Sequence, residues 1–415
     1  GGLNYMNHNF STNISRLESD SYKAKVTSTK KHAYDTTNLD FNYIMTIGQN
    51  EVSANYYKSI GNTEYDSFGS NLSQNHRDNH LKFNVNYTFV DSYLDLFYTK
   101  KTNEINQAAL SATDYTHTKI NTFGFEYSIL RKKSDHTLIG MDYSDEAMYE
   151  LSYGTSFKHT NKVKQAYISS THSITDKLQT NFGVRTQNHS TYKNFKSGNI
   201  GINYYYNPRF VISAAVAKSF RAPDATDLFG YAGNNKLNPE ESRTSEISIR
   251  YRVSSNESFA STLFHNKITN LIESDGTKMQ NINKARINGF DISYVRYVNN
   301  KKFDIQYTYQ EPKDKTNNVI LSRRPRNRLI NNITLFLKDA QTIGITAMYE
   351  SSRDNSIYDA NQLGGYVLVD ANYTKDIQGY ELGFKINNLL DKSYRLAHNY
   401  NTDGRSFILT IKSDF

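Results

Sequence analysis

Apolar and polar residues alternate along most of the chain. Leu81, Phe83, Val85, Tyr87 and Phe89 are interleaved with Lys82, Asn84, Asn86 and Thr88. Ile247, Ile249, Tyr251 and Val253 alternate with Glu246, Ser248, Arg250 and Arg252, and Phe303, Ile305, Tyr307 and Tyr309 with Asp304, Gln306, Thr308 and Gln310. Near the end, Tyr380, Leu382, Phe384 and Ile386 alternate with Glu381, Gly383, Lys385 and Asn387. Successive side chains of a strand point to opposite faces, so each run predicts a strand with one apolar and one polar face. No helical stripe of comparable strength is present. The pattern marks off roughly 21 segments, among them 3–14, 20–31, 38–48, 79–90, 242–253, 326–338 and 404–415.

The connections alternate in length. Short turns are expected near Glu18, Gln49, Asp91, Ser134, Asp176, Asn207-Pro208, Asn256, Asn299-Asn300, Asp339 and Asp376. Longer polar loops are expected at 62–78, 102–116, 147–161, 221–241, 312–325, 352–363 and 390–403. The five prolines (Pro208, Pro223, Pro239, Pro312, Pro325) all fall in the turns or loops proposed here, where their missing N–H would break no ladder. Two-faced strands with short turns at one end and long loops at the other predict an all-β fold, a transmembrane antiparallel β-barrel. The last strand arrives from a long loop, so Phe415 lies at the short-turn end. Counting back, the strand 3–14 starts at the long-loop end. An even-stranded barrel would then need one strand before Gly1, giving an expected 22, of which about 21 are present.

Composition supports this reading. The chain has 415 residues, with 33 Tyr and 22 Phe, yet only 37% apolar residues, and a mean hydropathy of −0.70. Disordered chains are equally polar but poor in aromatics. No run approaches the roughly 20 apolar residues of a membrane helix, but a barrel strand shows lipid only every second residue. A soluble propeller or solenoid would carry a repeat of fixed sequence, and none is seen. The formal charge of +8 comes without any long Lys/Arg block, so nucleic acid is not expected as a partner. With no Cys there are no disulfides and no thiol chemistry. The 11 His show no metal-ligand spacing, and no catalytic triad order, phosphate loop or dinucleotide fingerprint stands out, so the chain is not expected to be an enzyme.

Three sets of residues carry a resemblance. Lys218-Ser-Phe-Arg-Ala-Pro-Asp224 is followed by Asn235-Lys-Leu-Asn-Pro-Glu240. Lys385-Ile-Asn-Asn-Leu-Leu-Asp-Lys-Ser-Tyr394 is followed by Gly404-Arg-Ser-Phe407 and a strand ending in Phe415. Asn283-Lys-Ala-Arg-Ile-Asn-Gly289, Leu321-Ser-Arg-Arg-Pro325 and Tyr349-Glu-Ser-Ser-Arg353 complete the set. Together they resemble the TonB-dependent receptors of the Gram-negative outer membrane, and the third set resembles that family's cobalamin-transporting branch. The resemblance spans almost the whole chain but only the family's barrel. The family's N-terminal plug is not found in residues 1–415.

The resemblance implies a localisation in the outer membrane, lipid around the barrel, and a scarce bulky ligand, best a corrinoid, with a siderophore or haem as the alternative. It implies coupling to the TonB complex through a missing N-terminal segment, and Phe415 as the signal to the barrel-assembly machinery. A plugless porin-like diffusion channel is a further alternative. Matched residue by residue, Arg323 and Tyr358 fall on ligand-contacting positions, while Arg324 is expected by alternation to point the other way. That branch also binds calcium on clustered acids. Here the corresponding stretches offer only Glu64, Asp66, Asp78, Glu104 and Asp114. This is sparse for a cation that wants six to eight oxygens. Asp66 is the best single match for one weak site, and no cofactor is expected.

Overall fold

A computed structural model of the chain describes residues 2–5, 7–67, 69–107, 114–132, 135–152, 154–275, 277–356 and 360–413. Tyr358 and Phe415 lie outside these residues. The strands, in chain order, are β1 (Gly2–Tyr5), β2 (His8–Ser19), β3 (Tyr34–Ile47), β4 (Asn50–Ser67), β5 (Ser70–Thr88), β6 (Ser92–Gln107), β7 (Tyr115–Lys132), β8 (Asp135–Ser152), β9 (Thr155–Thr175), β10 (Leu178–His189), β11 (Lys193–Asn207) and β12 (Phe210–Arg221). A single helical turn, α1 (Ala225–Phe229), precedes β13 (Glu240–Ser254), β14 (Glu257–Ser274), β15 (Met279–Val298), β16 (Lys301–Asp314), β17 (Val319–Ile320), β18 (Asn327–Phe336), β19 (Thr342–Glu350), β20 (Arg353–Asp354), β21 (Gln362–Leu363), β22 (Tyr366–Ile377), β23 (Tyr380–Asn387) and β24 (Ser406–Ser413). Twenty-two of these strands form one antiparallel sheet, and β20 and β21 make a separate ribbon. Sequence neighbours are spatial neighbours throughout, which is the up-and-down arrangement of a membrane barrel.

The two faces are those expected. On one face lie Phe83 (47% exposed), Ile247 (57%), Leu263 (60%), Phe384 (41%) and Leu409 (73%). Cross-strand register keeps these residues on a common side, as in Ile247↔Leu263 and Phe384↔Leu409. This is the lipid face. Lys82, Asp304 and Lys385 have the opposite parity and face the lumen. The inner wall is polar and hydrogen-bonded. Gln165 donates to both oxygens of Asp142 (2.8 and 2.7 Å), Tyr167 donates to Glu126 (2.5 Å), and the Arg185 guanidinium lies 5.0 Å from the Tyr167 ring centroid. The Tyr167 ring occupies the space beside Gly140, where any Cβ would come within 2.3 Å of it. The short turns are tight hairpins. In Gln378-Gly379 both φ angles are positive (52° and 86°), as a two-residue turn matching the strand twist requires.

Five expectations are corrected. Pro312, expected in a loop, lies within β16 opposite Ile287, because the β15–β16 ladder runs on to Asp314. Residues 3–14 are not one strand: the chain turns at Asn7, between β1 and β2. Residues 20–31 are not a strand but part of the loop 20–33, where Ser28 and His32 are buried and accept from the Lys25 and Ala24 N–H groups of the same loop. The turn expected near Glu18 therefore lies within β2. The stretches 62–78 and 147–161, expected as loops, are instead the upper ends of the β4–β5 and β8–β9 hairpins, because their polar residues keep alternating and the ladder simply continues.

The ladder runs unbroken from β1 to β24. Among the described residues, β24 pairs only with β23, and β1 pairs only with β2, covering it from His8 to Ser11. The seam between β2 and β24 is tied at the long-loop end, where Val26 donates to the Asn399 carbonyl (3.0 Å) and Asn401 to the Ala24 carbonyl (2.9 Å).

Phe384 sits on the lipid face near the middle of the β22–β24 wall. Replacing it by Lys is expected to cost about 2–4 kcal/mol, read as a lowered midpoint of urea unfolding in vesicles. Lysine at Gly383, on the lumen face, should cost much less.

Candidate functional site: the long-loop mouth

Two loops fold inward over the mouth, each held by a small apolar core. Residues 222–239 leave β12 at Arg221. Pro223 stops the strand, and Asp224 caps α1 by accepting from the Asp227 N–H (2.7 Å), while Asp227 accepts from the Asp224 N–H (3.2 Å). Leu228 and Leu237 then bury against Ile272, with Phe229, Tyr192 and Met279 packed alongside. Phe229 reaches the top of the nearby β8–β9 hairpin, with its ring centroid 5.8 Å from Phe157 and 5.0 Å from His159, and Thr226 donates to Glu150 (3.3 Å). The second loop, 315–326, starts at Asp314, which is fully buried and accepts from the N–H groups of Thr316 (2.7 Å) and Asn317 (3.2 Å). Leu321, also fully buried, packs on Leu271, Ile282 and Ala285.

The two halves of the first motif meet in space. Arg221 donates from Nη1 to Asp227 (3.0 Å) and from Nη2 to Glu240 (2.9 Å). Glu240 accepts a further bond from the Ile272 N–H (2.7 Å). One guanidinium thus locks the end of β12, the helical turn and the start of β13. This explains why an Arg-Ala-Pro element and an Asn-Pro-Glu element belong together. The ion pairs hold the Arg221 guanidinium firmly charged, above its ordinary value.

Arg323 is exposed on the second loop. Its backbone is in the left-handed region (φ 54°), its N–H donates to the Asp354 carbonyl (2.8 Å), and its Nε donates to the Asn355 carbonyl (3.1 Å). Among the described residues its two Nη nitrogens have no partner. Arg324 does turn away, but not by strand alternation, since the segment is irregular. It donates to Glu273 at the top of β14 (3.2 Å) and to the Ser322 carbonyl (3.4 Å). Tyr358, expected at the same rim on a different long loop, lies outside the described residues.

A cluster that sequence reading passed over lies close by. Glu350 pairs with Arg353 (3.2 Å) and Arg328 (3.5 Å) and accepts from the Tyr366 hydroxyl (2.7 Å). The Arg353 side chain is only 3% exposed, with its guanidinium 5.5 Å from the Tyr366 ring centroid. The signal was the Tyr349-Glu-Ser-Ser-Arg353 element, whose Glu and Arg stand three apart at a strand end.

Asp66, the expected calcium ligand, is engaged within the protein. It accepts from Gly69 N–H (3.1 Å), Ser28 Oγ (2.9 Å) and Lys25 Nζ (3.1 Å), and these contacts hold its carboxyl below the ordinary carboxylate range. Of the other acids, Glu64 accepts from the Ala33 N–H (3.0 Å), Asp78 accepts from Asn103, and Glu104 lies 4.0 Å from Arg77. Among the described residues, no three His, Asp or Glu side chains gather to hold a metal. An apolar depression lined by Phe83, Val85, Leu96, Phe123 and Met141 opens on the lipid face, away from the mouth, and belongs to the membrane contact.

A large lipid-facing barrel with a polar lumen and loops folded over one end is the architecture of an outer-membrane receptor. The match of residues 6–389 to the family model described as TonB dependent receptor-like, beta-barrel, shows which one: the chain belongs to the TonB-dependent receptor family. It is 25% identical over 291 residues to a vitamin B12 transporter, BtuB, of Vibrio vulnificus, covering 66% of this chain and 47% of that protein. It is 26% identical over 276 residues to the protein of the same name from Photobacterium profundum, covering 63% and 45%. The chain thus spans about half the length of the curated relatives it matches. Among solved structures, the ferric enterobactin receptor PfeA of Pseudomonas aeruginosa superimposes with a TM-score of 0.86 at 14% identity, covering 99% of this chain and 76% of that one. The FrpB iron transporter of Neisseria meningitidis gives 0.82 at 11%, covering 99% and 78%. At such identities these two share the fold. The family is one of outer-membrane transporters and receptors, not of enzymes.

Glu240→Ala should leave Arg221 with one partner and the Ile272 N–H with none. The expected loss is about 2 kcal/mol of local stability, seen as faster hydrogen exchange in 222–239 while the barrel strands keep their protection. The Asp66 contact should depend on acid. Because its folded pKa is lowered, its stabilisation is present above the unfolded value and lost as pH falls through the folded one. The chain has no cysteine, so a spin label on Thr29→Cys reports loop 20–33 alone. Its mobility should stay constant from neutral pH to about 5 and rise only below about 4, and Asp66→Asn should raise it at neutral pH.

Proposed function

We propose that this chain is the barrel of a TonB-dependent transporter that takes up a corrinoid across the outer membrane. The observation that carries the reading is the pair of relatives at 25% and 26% identity, both named vitamin B12 transporters, whose alignments cover about two thirds of this chain. The ferric enterobactin receptor and the FrpB iron transporter resemble it in fold at 14% and 11% identity, too low to speak for a ligand. The mouth fits the proposal chemically. A corrinoid presents amide side groups and a nucleotide phosphate, and the exposed fork of Arg323 offers donors to both. Tyr358 supplies a ring face and a hydroxyl to the same ligand. TonB, acting through an N-terminal plug segment, is the partner this reading requires.

Equilibrium binding of cyanocobalamin to the purified full-length protein tests it. Arg323→Ala and Tyr358→Ala should each weaken binding by about 1–2 kcal/mol. Arg324→Ala, whose side chain is committed to Glu273, should weaken it much less. A full-length protein that binds an iron siderophore or haem but no corrinoid would refute the ligand while leaving the family intact.

A further inference from the structure

The outward face of β12–β16 carries a row of five cations in direct cross-strand register. Lys218 stands opposite Arg243, Arg243 opposite Lys267, Lys267 opposite Arg286, and Arg286 opposite Lys313. Each of the five shares the parity of its strand's lipid-facing residues. Two register rows nearer the short-turn end lies the apolar belt of Ala214, Ile247, Leu263, Phe290 and Tyr309. The intervening row is Val216, Ser245, His265, Asn288 and Glu311. Four residues of strand correspond to about 13 Å, so the cations stand beyond the hydrocarbon at the height of lipid headgroups. Five strands set them over about 19 Å of wall. Lys284 adds a cation one row further out.

Like charges placed directly opposite one another on a sheet repel, and this row places four such pairs in succession. The acids on this face relieve it only at Lys218. Glu241 pairs with Lys218 at 3.0 Å, and Glu311 has no ion pair among the described residues. Arg243, Lys267, Arg286 and Lys313 likewise have no anionic partner there. Lys218, Arg243 and Lys267 are exposed. A continuous outward row in which four of five cations have no anionic partner among the described residues needs an anion supplied from outside. At that height, on a wall that faces lipid, the anion at hand is a headgroup phosphate, which a guanidinium grips with two parallel bonds and a lysine meets as a point charge. A second copy of this chain is a poor occupant, since a two-fold contact here would set row against row.

We propose that β12–β16 form a docking surface for phosphorylated lipid headgroups of the outer leaflet, with Lys218, Arg243, Lys267, Arg286 and Lys313 as the phosphate-binding row. The surface is on the opposite face of the wall from the mouth and does not depend on which ligand the transporter carries.

The test is a titration of the full-length protein in non-ionic detergent with diphosphorylated lipid A, with bound lipid counted by native mass spectrometry. The triple variant Arg243→Glu/Lys267→Glu/Arg286→Glu should lower the affinity about tenfold or more. Arg250→Glu/Arg252→Glu, a comparable charge change on the lumen face of the same β13, should leave it within about twofold. Dephosphorylated lipid A should bind wild type as weakly as the triple variant does. Should the triple variant fail to fold, Lys267→Gln/Arg286→Gln decides, with a smaller loss and a weaker salt dependence expected. Unchanged affinity in the row variants overturns the proposal. So does an equal loss in the lumen variant, which would mean bulk charge, or equal binding of dephosphorylated lipid, which would mean acyl packing. Displacement of the lipid by millimolar inorganic phosphate would make the row a free-phosphate site and overturn it as well.

Discussion

Backbone hydrogen bonding in hydrocarbon is the constraint on which everything else here rests. An unpaired peptide group in the bilayer costs several kcal/mol, and no water is present to satisfy it. Each strand must therefore give all its N–H and C=O groups to two neighbours, which forces a sheet wrapped around on itself. Side chains are then free of any duty to pack a core. Among the described residues the large fully buried side chains are few, and three of the four, Leu321, Asp314 and Pro312, sit in the mouth, while the fourth, Ser128, lies in the β7 wall near a short turn. Stability is carried by the ladder and by the match of the outer face to lipid. For this reason a chain with 37% apolar residues can span a membrane.

Where the ladder stops, the loops take over. β2 and β24 are not hydrogen-bonded to each other among the described residues, and the contacts across that seam are made by loop 20–33 and residues 388–405. From there a chain of polar contacts follows the rim. Asp66 holds Lys25 and Ser28, His398 donates to Asn355 (2.9 Å), Asn355 accepts from Arg323, Arg324 reaches Glu273, and Asn234 donates to the Met279 carbonyl (2.9 Å). Loops that would be independent in isolation are coupled pairwise around the mouth. Each contact joins a loop to another loop or to the end of a strand, so a displacement of one loop acts on its neighbours.

Strand alternation was legible because the barrel imposes period two on every membrane-crossing residue, and Phe83, Ile247 and Phe384 stand where it put them. Strand ends were not legible. In the β4–β5 hairpin the alternation of Asn62, Glu64 and Asp66 with Thr63 and Tyr65 is polar on both faces, so it looks like a loop although the ladder continues. Loop 20–33 failed in the opposite sense: Tyr22, Ala24 and Val26 alternate with Lys23 and Lys25 like a strand, yet the segment folds across the seam. The motif residues Arg221 and Glu240 were visible in sequence, but their meeting is a tertiary fact. Arg323 was visible only through family resemblance, because its role depends on a left-handed turn and a carbonyl 32 residues away.

The cation row on β12–β16 shows what a one-dimensional reading cannot reach. Lys218, Arg243, Lys267, Arg286 and Lys313 are spaced 25, 24, 19 and 27 residues apart, an irregular series with no motif and no local charge block. Register converts it into a straight line. In an antiparallel pair the numbers of facing residues add to a constant along the ladder, so each turn and loop length fixes which residue of one strand meets which of the next. Adding one residue within a strand, without a bulge to absorb it, would move its cation out of the row and turn part of its apolar face toward the lumen. The loops of the mouth and the charges of the outer wall are therefore set by the same lengths of chain, although they lie on opposite faces. Alternation is what lets them differ: on β12, Lys218 faces the lipid side, while three residues on Arg221 holds the loop that covers the lumen.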